Sequence, residues 1–118
     1  MRCLFVETPL FTEQWFELGL DDEDLNELQK TILSNPESGT IMEGTGGLRK
    51  IRFAREGKGK SGGVRVCYVE FAFFEKVFFL TVYAKSEKTN LSAYERNEIK
   101  KAVIRLKEET AKTWGKHE

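Results

Sequence analysis

A chain of 118 residues, 40% of them hydrophobic, is long enough to bury a core of its own without disulfides or a structural metal. No apolar run approaches the ~18 residues of a membrane span, and the N-terminus lacks the basic, apolar, small-residue order of a signal peptide, so neither a membrane partner nor export is expected and the location follows as cytoplasmic. The 19 basic and 19 acidic residues cancel, which excludes a uniformly polyanion-seeking protein. They do not mix, however. Residues 1–48 hold ten acids and two bases, whereas residues 49–65 hold seven bases and one acid, Glu56. A neutral chain that gathers its cations in one short block presents that block to a polyanion.

In chain order, residues 2–7 read as a short strand. Thr8-Pro9 reads as an N-cap followed by proline at the first helical position, opening a helix with Phe11, Trp15 and Leu18 on one face and a stop near Gly19. Asp21-Asp22-Glu23-Asp24 reads as the acidic first turn of a second helix, where acids suit the helix dipole, rather than as a metal site. Its apolar stripe is Leu25, Leu28, Ile32 and Leu33, and Asn35-Pro36 ends it. Residues 36–47 read as a loop. Three strands follow, at about 48–54, 64–72 and 76–85, and their short links predict an antiparallel meander. Ser92-x-x-Glu95 is a capping-box signature for a last helix with Ile99, Ala102, Val103 and Leu106 on its core side. The expected architecture is α+β, in the order β-α-α-β-β-β-α: a small antiparallel sheet with an N-terminal helical hairpin and a C-terminal helix, the helices mainly on one face. Residues 1–118 read as one domain.

Candidate chemistry narrows by residue type. Gly59-Lys60-Ser61 matches the end of a P-loop, but position 54 is alanine instead of glycine, and a strand instead of a helix is expected after Ser61. Cys3 and Cys67 each lie in an apolar strand-like run and read as small buried hydrophobes. The single histidine, His117, is next to last, so no imidazole is available in the body of the chain for nucleophilic or acid–base work. Metal-dependent nuclease chemistry needs carboxylates to hold its ions, and the basic block carries none beyond Glu56, so neither a metal nor a cofactor is expected.

The cationic strands remain. Alternation puts Leu48, Lys50 and Arg52 on one face of the first, and Arg49, Ile51 and Phe53 on the other. Arg65 shares a face with Cys67 and Val69, and Tyr83 shares one with Lys85. Antiparallel pairing can gather Lys50, Arg52, Arg65 and Lys85 around one concavity. Arg49, Arg55, Lys58, Lys60 and Tyr83 are candidate RNA-binding residues beside it, the glycines between the lysines letting backbone approach phosphate. Tyr83 and Tyr68 read either as core aromatics or as sources of stacking or of a proton.

The segments Gly44-Thr-Gly-Gly-Leu-Arg-Lys-Ile-Arg, Gly-Lys-Gly-Lys-Ser-Gly-Gly-Val-Arg-Val and Leu80-Thr-Val-Tyr-Ala-Lys-Ser-Glu-Lys resemble the RelE/HigB superfamily of toxins from type II toxin–antitoxin modules, most closely a RelE-like, HigB-type branch. The resemblance spans nearly the whole chain. It implies a ribosome-dependent, metal-independent endoribonuclease that cuts mRNA in the A site by attack of a 2′-hydroxyl, inhibiting translation. The implied partners are the ribosome, mRNA and a cognate antitoxin, a helix-turn-helix repressor encoded next to it. The implied catalytic residues are Lys50, Arg52, Arg65 and Lys85: Arg65 on the transition-state phosphate, Lys50 and Arg52 on orientation and proton transfer, Lys85 on the scissile backbone. Lysines crowded by other cations lose protons more readily, and guanidinium groups grip phosphate oxygens in pairs. Two positions depart from the family's pattern, which has an arginine where this chain has Ser86 and a tyrosine near Ser92. A non-catalytic RNA- or ribosome-binding module on the same fold is the alternative expectation.

Overall fold

Thr8 joins the first strand to the first helix and serves both. Its hydroxyl oxygen accepts from the Phe11 amide at 3.4 Å, capping the helix, and the same hydroxyl donates to the Phe79 carbonyl at 2.9 Å. The computed structural model describes residues 3–54, 63–87 and 90–114. Strand β1 (Leu4–Glu7) leads through Thr8 into α1 (Pro9–Glu17), and α2 (Asp22–Ser34) follows. The acidic run behaves as its dipole chemistry requires. Asp21 caps α2, the Asp24 amide donates to its carboxylate, and the Asp21 amide donates back to Asp24, each at 2.9 Å. Then come β2 (Thr40–Ile41), β3 (Arg49–Phe53), β4 (Val64–Phe71), a single 3-10 turn (Ala72–Phe74), β5 (Lys76–Ala84) and α3 (Ala93–Trp114). The Ser92–Glu95 capping box opens α3, with bonds of 2.8 and 3.1 Å.

The five strands form one sheet in the order β1-β5-β4-β3-β2. The meander β3-β4-β5 is antiparallel, as the short links predict. The whole sheet is mixed, because β1 runs parallel to β5. Link length carries no information on that pair, since two helices and three strands separate its members. The two-residue β2, inside the segment read as a loop, pairs with Arg49 and Lys50 at the edge of β3. It is too short and too exposed to show a period.

The helices pack on both faces of the sheet, which corrects the expectation of one covered face. The hairpin α1–α2 buries Phe11, Trp15, Leu25, Leu28 and Ile32 against Val64, Val66, Tyr68, Val77, Phe79 and Val82. Leu33 is 37% exposed and lies at the margin of that stripe. Five rings run in sequence through this core. Phe5 stacks on Phe79 at 5.7 Å, Phe79 on Phe11 at 4.9 Å, Phe11 on Trp15 at 5.4 Å, and Trp15 leans on Phe53 at 5.7 Å. Each buried ring or branched side chain contributes about 1.5–3 kcal/mol. The Trp15 indole N–H is satisfied by the Asp21 carbonyl at 2.9 Å. On the other face α3 sets Val103, with Ile99 and Leu106, over Leu48, Cys67, Val69, Phe71, Phe78, Leu80, Tyr83 and Leu91. A sheet whose central strands are buried on both sides reads as a continuous apolar run, and that pattern does not say which helix covers which side.

One irregularity sets the geometry of the far end of the sheet. Cys67 pairs with Thr81 but Tyr68 pairs with Phe79, so β5 carries one extra residue, a β-bulge. Before it, Phe78 and Leu80 face the α3 core; after it, Tyr83 does, while Val82 joins the hairpin core. Strict alternation onward from Phe78 and Leu80 would place Tyr83 on the hairpin side, and the bulge returns it to the α3 side. Pairing with β1 stops at Phe79, and Gln14 of α1 takes over along that edge. Its side-chain oxygen accepts from the Thr81 hydroxyl at 2.9 Å and from the Val82 amide at 3.1 Å.

Candidate functional site

The register of β3, β4 and β5 assembles the cations. Lys50 lies opposite Cys67, and Arg52 opposite Arg65, which in turn lies opposite Tyr83. All five share the face that α3 covers farther along the sheet. Arg52 is exposed, and Lys50 and Arg65 are half-buried. Lys85 follows β5 directly, and its amide donates to the Gly63 carbonyl at 3.3 Å, extending the β4–β5 ladder by one step. Alternation from Tyr83 carries position 85 to the same face. Lys50, Arg52, Arg65 and Lys85 therefore occupy one end of one sheet face.

The other sequence-predicted residues divide differently. Arg49 is not brought to this group. Its guanidinium donates to the carbonyls of Glu37 (3.2 Å) and Gly39 (2.8 Å) on the hairpin side, tying the 37–39 loop to the sheet. Arg55, Lys58 and Lys60 lie outside the described residues, as does the P-loop-like Gly59-Lys60-Ser61. Tyr68 is a core residue. Its hydroxyl donates to the Pro36 carbonyl at 2.9 Å and accepts from the Gly39 amide at 3.0 Å. A Cβ on residue 39 would fall 2.8 Å from that oxygen, so a glycine is needed there.

Tyr83 is 4% exposed and underlies the cationic group, its ring packed in the α3-side core rather than open to a base. Burial first, then the neighbouring Cys67, with which it shares a hydrogen bond, push its phenol up to about 12, and Arg65 opposes the shift. The phenol is thus protonated at neutral pH and is no general base. Neither cysteine forms a disulfide: Cys67 is buried, and Cys3, half-buried, has its thiol pushed up by burial and by Glu70 and Glu75. Among the described residues no group of three or more His, Cys, Asp or Glu side chains could hold a metal ion, and no helix is long and apolar enough to cross a membrane.

A residue that sequence reasoning missed stands beside the cations. The Lys50 ammonium donates to the side-chain oxygen of Asn90 at 3.1 Å. Asn90 belongs to the connection between β5 and α3, 40 residues away along the chain. No local pattern links the two positions.

This arrangement can bind an anion with several fixed positive charges. A sequence model described as the RelE toxin of the RelE/RelB toxin–antitoxin system matches residues 9–115. Among solved structures, the fold is similar to that of an Escherichia coli RelE toxin, a double arginine-to-alanine mutant in the free state, with a TM-score of 0.53 at 18% identity over 75% of this chain and 90% of that one. The sheet, the hairpin and nearly the whole sequence thus agree, and the chain belongs to the RelE toxin family of toxin–antitoxin systems.

Proposed function

We propose that this toxin is an endoribonuclease that cleaves mRNA in the A site of the translating ribosome, with Lys50, Arg52, Arg65 and Lys85 as its working face. The observation that carries the reading is the direct register pairing of Arg52 with Arg65. Like charges opposite each other on neighbouring strands cost stability. A phosphate held between two guanidinium groups turns that repulsion into paired hydrogen bonds.

The step proposed is a transesterification. The 2′-oxygen of one nucleotide attacks the adjacent phosphorus, a new P–O bond forms, and the bond to the 5′-oxygen of the next nucleotide breaks. The 2′-hydroxyl gives up a proton and the leaving 5′-oxygen gains one, leaving a cyclic phosphate and a free 5′-hydroxyl. Arg65 stabilises the charge that builds on the phosphorane oxygens, where preorganised donors have their largest effect. Arg52 holds the scissile phosphate and Lys85 the neighbouring backbone. Proton transfer falls to Lys50, because a guanidinium does not deprotonate and the Tyr83 phenol is buried and fully protonated. Arg55, Lys58 and Lys60 add charge on the segment that follows β3 in sequence. The partner that silences the toxin is a cognate RelB-like antitoxin, a small helix-turn-helix repressor that covers or distorts this face, and the compartment is the cytoplasm.

A second reading, a module that occupies the ribosome without cutting, draws on the serines at 86 and 92, where the family pattern carries an arginine and, nearby, a tyrosine. One experiment separates them. The chain is induced in cells without its antitoxin and mRNA 5′ ends are mapped. New ends inside translated codons support cleavage. Growth arrest without new ends supports occupancy, and unimpaired growth removes both.

A further inference from the structure

We propose that Asn90 is a positioning residue of the cationic site, one that aims the Lys50 ammonium without neutralising it; this rests on the cleavage reading given above. Lys50 has a flexible four-carbon stem, and fixing such a side chain costs up to about 2 kcal/mol in rotamer entropy. The side-chain oxygen of Asn90, 3.1 Å from the ammonium nitrogen, takes one of its three N–H donors and restricts the rest to fewer directions.

Asn90 is exposed and is followed by two anchored residues. Leu91, the next residue, is 5% exposed and belongs to the α3-side core. Ser92 is held in the reciprocal capping box with Glu95. The leucine and the cap tie the backbone that follows Asn90 to the core and to α3.

The chemistry of the acceptor matters as much as its position. An amide oxygen accepts from a charged ammonium and, more weakly, from a neutral amine, so the tether loosens but is not lost if Lys50 passes its proton on. A carboxylate in the same place would pair with the lysine and repel the incoming phosphate. Two carboxylates lie near, Glu87 on the connection and Glu95 in the first turn of α3, each accepting from a backbone amide. Glu87 accepts from the Ala84 amide at 3.4 Å and Glu95 from the Ser92 amide at 2.8 Å. The acceptor that Asn90 offers the lysine is uncharged.

The test is cleavage of mRNA on ribosomes with an empty A site, measured in single turnover over a range of toxin concentrations. Asn90→Ala is expected to lower the saturating rate by about 10- to 100-fold and to leave the half-saturating concentration near the wild-type value. The double variant Asn90→Ala/Lys50→Ala is expected to cut as slowly as Lys50→Ala alone, because the two residues act through one group. Asn90→Asp keeps the acceptor and adds a charge, so it is expected to raise the half-saturating concentration. The inference is overturned if Asn90→Ala cuts at the wild-type rate, or if the two single losses multiply in the double variant. It is also overturned if Asn90→Asp matches the wild type in both constants. Failure of the wild type itself to cut removes the cleavage reading and this inference together; cutting by the wild type with an indifferent Asn90→Ala removes this inference alone.

Discussion

The two faces of the sheet are built on opposite plans. The hairpin face is covered by α1 and α2 over five rings in sequence, and its polar groups, such as the Trp15 indole and the Tyr68 hydroxyl, are satisfied by backbone. The α3 face is closed only in part. Where the helix cover ends, the side chains are Lys50, Arg52 and Arg65, set against one another with an arginine pair in register. The first face holds the molecule together, and the second carries a repulsion that the first must sustain. Proteins place such local costs where a ligand removes them.

That contrast is open to attack from either side. Leu28 is fully buried under the hairpin, and Leu28→Asp puts an unpaired carboxylate there; the expected loss exceeds about 4 kcal/mol, read as an unfolded circular dichroism spectrum at room temperature. On the other face, Arg65→Ala is expected to lower cleavage by about 100- to 1,000-fold while the thermal midpoint stays within a few degrees of wild type. Full toxicity in that variant would remove Arg65 from its assigned role.

A third comparison uses pH. The Tyr83 phenol titrates near 12 in the folded protein, against about 10 when unfolded, so its contribution to stability is complete below pH 10 and is lost as pH rises toward 12. Relative to Tyr83→Phe, the wild type is expected to lose about 2–3 kcal/mol over that window, measured by denaturant titrations of both proteins at each pH. Parallel curves would show that the phenol is not buried as described. The smallest effect has the most diagnostic sign. Arg52→Ala removes one member of the repelling pair and is expected to stabilise the fold by about 0.2–1 kcal/mol while cleavage falls. A destabilised variant would show that the pair is not strained.

Local chemistry was legible in the sequence wherever neighbours along the chain decide the structure. Thr8-Pro9, Asp21 with Asp24, and Ser92 with Glu95 mark the helix starts because each cap completes itself within three residues. Alternation likewise places Lys50 with Arg52, and Arg49 away from both. Features set by distant partners were not legible. The parallel β1–β5 pair, the side of the sheet that α3 covers, and the Lys50–Asn90 contact all join segments with no sequence relation to one another. Tyr83 shows the limit well. Its strand is recognisable from Val77 to Ala84 as an apolar run, yet the bulge that decides which face it takes leaves no mark in such a run.

That bulge makes β5 one residue longer than its pairing with β4 requires. Many substitutions between Phe78 and Val82 would alter packing by degrees. Deleting Leu80 would let Phe79, Thr81, Val82 and Tyr83 pair in unbroken sequence with Tyr68, Cys67, Val66 and Arg65, so Tyr83 would keep its face and its place opposite Arg65. Homologous chains that keep this site should therefore accept the loss of this one residue, the bulge present in some and absent in others.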